Sequence, residues 1–87
     1  MEQILKTIEK EIKTPMDQME ILIDSITWEK EGKYNFLRIV LDKVNGIDLD
    51  TIVEATNVIN PIIDKLDLIQ EEYILDILSK ERGNKDE

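Results

Sequence analysis

Phe36-Leu-Arg-Ile-Val-Leu-Asp-Lys43, followed by Val44-Asn-Gly-Ile-Asp-Leu-Asp50, decides the fold of this chain. Leu37, Ile39 and Leu41 alternate with Phe36, Arg38, Val40 and Asp42, the period of two that marks a strand. Asn45-Gly46 then signals a turn, with glycine supplying a positive φ. Asp48 is a natural N-cap, and Asp50 falls in the first helical turn beside the positive end of the helix dipole. In a two-layer fold the aliphatic side of the strand goes under helices, and Arg38 stays on the open face.

Upstream, Ile21 to Glu31 reads as a partner strand with one irregularity. Ile21 and Ile23 share one parity and Ile26 and Trp28 the other, so a bulge near Asp24 and Ser25 is predicted to bring both pairs to one face. Glu31-Gly32-Lys33 closes a hairpin. Earlier still, Ile4, Leu5, Ile8 and Ile12 trace one helical face over Met1 to Lys13. Thr14 before Pro15 is expected to end that helix, because a residue preceding proline is pushed out of the helical region. Met16 to Glu20 is then a connector.

Downstream, Ile52, Val53, Thr56, Ile59, Ile63 and Leu66 form a helical stripe interrupted by Pro61. An interior proline costs roughly 3 kcal/mol, so a kink or a restart at Asn60-Pro61 is expected. After a loop from Asp67 to Glu71, Glu72 to Leu78 reads as a third strand with Tyr73, Leu75 and Ile77 on one side. The expected fold is α+β: a two-layer αββαβ domain over residues 1–79, two helices on one face of a three-stranded sheet. Residues 80–87 are expected to be a polar, mobile tail.

Composition narrows the function. Eighty-seven residues make one domain. The chain has no cysteine and no histidine, which excludes disulfides, Cys/His zinc sites and imidazole acid–base chemistry. No apolar run approaches the ~20 residues that span a bilayer, and the amino terminus is not a signal peptide. A cytoplasmic location is expected.

The net charge of −9 is unevenly placed. Residues 1–41 hold 8 acidic against 6 basic side chains, residues 42–76 hold 9 against 2, and the last eleven balance at 3 against 3. That field opposes DNA or RNA backbone binding and favours encounter with a basic protein.

Asp48, Asp50 and Glu54 look at first like a cation cluster, since residues 50 and 54 are one helical turn apart. Capping and dipole compensation account for them better, and no metal or other cofactor is expected. Arg38 could meet a carboxylate or phosphate of a partner, but cross-strand pairing to an acidic neighbour is the favoured reading. Trp28 and Phe36 suggest either a cross-strand aromatic pair or a docking patch. Ser25 and Ser79 have no histidine to activate them, and the three glycines form no phosphate loop, so no enzyme is expected.

Phe36-Leu37-Arg38-Ile39-Val40-Leu41-Asp42-Lys43 with Gly46-Ile47-Asp48-Leu49-Asp50, and more loosely Ile69 to Ile77, resembles the amino-terminal domain of the ribosome maturation factor RimP family. The resemblance covers roughly residues 1–79. It implies a two-layer domain, KH-like in outline, in a non-catalytic factor that associates with small ribosomal subunits during their maturation. The Gly-x-x-Gly loop of RNA-binding KH modules is absent, so the outline does not license RNA contact.

The family continues after its third strand with Ser-Pro-Gly and a barrel-like second domain. Here Ser79 is followed by Lys80-Glu81-Arg82-Gly83, so a one-domain relative is expected. The reading is an assembly factor that binds a basic small-subunit ribosomal protein or the immature small subunit. Its candidate contacts are Arg38, Asp42, Asp48, Asp50 and Glu54. The alternative is a stand-alone interaction module, monomeric or weakly homo-oligomeric, that no longer binds the ribosome.

Overall fold

A computed structural model describes residues 1–80. The order is α1 (Glu2–Gln18), β1 (Leu22–Glu31), β2 (Tyr34–Asp42), α2 (Leu49–Leu66) and β3 (Ile74–Ser79). β2 is the central strand, antiparallel to β1 and parallel to β3. A parallel neighbour requires a crossover, and α2 supplies it. The fold is α+β, as expected.

The core is built from three short repeats. Ile8, Ile12 and Met16 come from α1 and Ala55, Ile59 and Ile63 from α2, each set at a spacing of four. Leu37, Ile39 and Leu41 come from β2 at a spacing of two, and Ile21 completes the cluster. Both helices therefore lie over the same face of the sheet. Each fully buried Ile or Leu contributes roughly 1.5–3 kcal/mol.

The expected bulge is present. The β1–β2 register shifts between Ile23 and Ser25, so Ile23, Ile26 and Trp28 oppose Leu41, Ile39 and Leu37 on the covered face. The hairpin turns on Gly32 and Lys33, with Gly32 at φ +62°, the residue a type II′ turn needs at its first central position. Gly46, at φ +86°, closes a turn by donating its N–H to the Lys43 carbonyl at 2.9 Å.

Two expectations about helix ends are corrected. α1 does not stop at Thr14 but runs through Pro15 to Gln18. Pro15 removes only the hydrogen bond to the carbonyl of Glu11, an exposed residue, while Met16 one step on is fully buried. The stretch expected as a connector is therefore helix, closed by two crossed bonds: Glu20 N–H to Asp17 O at 2.9 Å and Ile21 N–H to Met16 O at 2.8 Å. That is a Schellman turn, with Glu20 left-handed at φ 61° and Met16 and Ile21 both buried beside it.

α2 likewise continues through Pro61 to Leu66 without a restart. The carbonyl that loses its donor belongs to Asn57, again exposed, and Ile63 beyond the proline is buried. Its deepest line is Ala55, Ile59 and Ile63, whereas Val53 of the expected stripe is 51% exposed. Ser79 ends β3, and Lys80 is tied to the sheet through its N–H to Leu41 O at 2.7 Å and its Nζ to Asp24 at 3.1 Å. Residues 81–87 of the expected tail lie outside the described residues.

Candidate functional site

The five candidate contacts fall into two groups on opposite sides of the molecule. Arg38 and Asp42 belong to the open face of β2, while Asp48, Asp50 and Glu54 stand at the start of α2 in the helical layer.

Arg38 is held by its own fold. Its Nε donates to Asp76 Oδ2 at 3.0 Å, across the parallel β2–β3 pair where the two residues are in register. One terminal nitrogen, Nη1, donates to Glu29 Oε1 at 2.6 Å and reaches Glu31 Oε2 at 3.4 Å. The guanidinium carbon also sits 5.3 Å from the centre of the Phe36 ring. Hydrogen bonding to Asp76 does most to hold the Arg38 proton more firmly than usual; burial opposes it, and the charges of Glu29, Glu31 and Asp76 each add a smaller share. Three carboxylates around one guanidinium leave the patch net negative. Asp42, half-buried at the end of β2, accepts the Lys43 N–H at 2.8 Å.

Asp48 caps α2 by accepting the Thr51 N–H at 2.8 Å. Hydrogen bonding from Thr51, through its side chain and then its backbone, holds the Asp48 carboxyl below its ordinary value, and the charge of Lys43 adds to this. Asp50 and Glu54 project from exposed positions one turn apart. Exposed apolar residues are also present at the first turn of α2 and in the loop before it: Leu49 is 75% exposed and Val44 78%. Among the described residues, no group of three or more His, Cys, Asp or Glu side chains is arranged to hold a metal ion.

Trp28 and Phe36 do not pair. The register sets Trp28 against Leu37 and Glu29 against Phe36, so the two rings lie on opposite faces. Trp28 instead meets Tyr73 under the sheet, with ring centres 6.0 Å apart and a tilt of 55°. Burial there, together with the charge of Asp64, raises the Tyr73 phenol above its usual value.

The expected cross-strand pairing of Arg38 to an acidic neighbour is present, with Glu29 and Glu31 on β1 and Asp76 on β3 as the partners. The acidic alternation of Glu29 and Glu31 was visible in the strand, but nothing local to residue 76 says that β3 lies parallel to β2 beside Arg38.

These features define a small α+β domain with exposed charge at the start of α2 and a sheet open on one face. Residues 11–80 match the RimP N-terminal domain family. The chain belongs to the RimP family, a family of ribosome maturation factors, through this domain. No helix among the described residues is long and apolar enough to cross a membrane.

Proposed function

We propose that this RimP-family domain is a cytoplasmic, non-catalytic factor in small-subunit maturation that docks on a basic small-subunit ribosomal protein. The observation that carries this reading is the acidic opening of α2: Asp50 and Glu54 are exposed on the first turns of the helix, and among the described residues no ion pair engages them. Asp48 adds to this field from the cap, partly offset by the charge of Lys43, while Asp42 lies on the open face of β2. Arg38 serves the sheet and contacts the partner only through the net negative patch around it. A field of this sign accelerates encounter with a cationic protein and repels nucleic-acid backbone.

The test is co-sedimentation of the tagged protein with ribosomal fractions of its own organism. Enrichment on free or immature small subunits is expected, and Asp50→Lys with Glu54→Lys reduces it at least tenfold while the fold, capped by Asp48, stays intact. A protein that remains at the top of the gradient at every salt concentration is a stand-alone interaction module instead.

A further inference from the structure

We propose that the outer edge of β3 is a docking strand, on which an extended cationic segment of a partner protein adds to the sheet as a fourth strand. The inference rests on the basic-partner reading above and gives it a location and a register.

The two edges of the sheet are unlike. β1 is ten residues long, broken by the bulge at Ile23/Ser25 and marked by Asp24, Glu29, Lys30 and Glu31, and α1 packs beside it. Bulges and charges are the usual protection of an edge against pairing. β3 has neither bulge nor proline nor lysine in Ile74-Leu75-Asp76-Ile77-Leu78-Ser79, and its one charge is turned to Arg38. No strand lies beyond it among the described residues. Its open-face residues Ile74 and Leu78 are 45% and 39% exposed.

The backbone direction of this edge follows from two bonds. Lys80 donates its N–H to Leu41 O, and the Glu72 carbonyl accepts from Asn35 Nδ2. Even-numbered residues therefore face β2, and the N–H and C=O groups of Leu75, Ile77 and Ser79 point away from the sheet. An added strand has three donors and three acceptors waiting, the arrangement used when peptides augment a sheet.

Each end of the edge opens into a hollow. One of about 640 Å³ is lined by Tyr34, Tyr73, Ile74 and the acidic pair Glu71 and Glu72. The other, about 760 Å³, is lined by Ile47, Leu49, Ile52, Ile77 and Leu78 together with Asp48 and Lys80. A six-residue strand is roughly 20 Å long, so one extended segment runs from hollow to hollow.

Charge selects the occupant. Glu71 and Glu72 outnumber Lys33 in the first hollow, Asp48 is balanced by Lys80 in the second, and residues 42–76 carry 9 acidic against 2 basic side chains. A second copy of the chain brings another −9, and RNA brings phosphates, so both are repelled. An extended segment alternating apolar and cationic residues matches the apolar lining of the hollows and the acidic excess at Glu71 and Glu72.

The experiment is amide exchange by NMR on the full chain with a synthetic octapeptide of alternating lysine and valine, and a glutamate–valine octapeptide as control. The cationic peptide slows exchange at Leu75, Ile77 and Ser79 at least tenfold, and leaves Asp76 and Leu78, already bonded to β2, little changed. Leu78→Lys weakens that binding about tenfold, whereas Leu78→Glu preserves it. Protection confined to α2 would leave the basic-partner reading standing and overturn the edge. Equal binding of the glutamate peptide, no protection at millimolar peptide, or the same protection in a peptide-free dimer seen by sedimentation would each overturn the proposal. Loss of ribosomal co-sedimentation with β3 protection intact would instead strike the ribosomal partner alone.

Discussion

The two faces of the β2 strand show what one run of alternating residues can do with opposite neighbours. On the covered face Leu37, Ile39 and Leu41 are fully buried between helices. On the open face Phe36, Arg38 and Val40 are only half-buried, and the central contact is a guanidinium shared by Asp76, Glu29 and Glu31. The first face draws its stability from area removed from water and hardly depends on salt or pH. The second holds its register by charge in a partly solvated setting, where ion pairs contribute little individually and specify geometry more than stability. Stability lies beneath the sheet, and the outer side is held in register by charge.

Adjacent substitutions separate the faces most sharply. Ile39→Ala is expected to cost about 2–5 kcal/mol, against roughly 4–13 kcal/mol of total stability for a domain of this length. Val40→Ala, the next residue, costs about 1 kcal/mol or less. Urea unfolding of both variants checks this, and equal losses would break the distinction. Replacing Arg38 by leucine comes next. It leaves Glu29, Glu31 and Asp76 close together without their cation, so the thermal midpoint falls, and falls less as salt rises from ~10 mM to ~1 M. A salt-independent loss would mean that the guanidinium acts through packing on Phe36.

The smallest effect concerns the cap of α2. Asp48 is held below its ordinary carboxylate value, so its contribution is complete above that ordinary value and disappears as the pH falls through the depressed one. Asp48→Asn retains an acceptor for the Thr51 N–H but has no charge to lose. Thermal melts between about pH 5 and pH 2 should therefore show a flatter acid limb for this variant than for the parent.

Much of this architecture was readable from residue order, because its signals are local. The change of parity between Ile23 and Ile26 announced the bulge, and Gly32 and Gly46 announced the turns they make. Asp48 was recognisable as a cap from its position after Gly46. The prolines misled because the rule against them is also local. At Pro15 and Pro61 the orphaned carbonyl belongs to an exposed residue, and burial of Met16 and Ile63 beyond each proline keeps the helix going. Ala55 escaped notice because a small side chain barely marks a hydrophobic stripe, although it lies four residues before Ile59 at full burial. The surroundings of Arg38 were half legible. The acids of β1 are its hairpin neighbours, but Asp76 reaches it only through the crossover that α2 makes.

That crossover has a consequence for the order in which the chain becomes a protein. β1 and β2 are joined by a two-residue turn and can zip as soon as both are synthesised. β3 pairs with residues 38 positions earlier, as Arg38 with Asp76 shows, and such distant parallel pairing is slow. During translation from the amino terminus, Arg38 meets Glu29 and Glu31 first and acquires Asp76 last. The nascent domain therefore passes through an interval in which its central strand has one bare side, and arrival of β3 marks its completion.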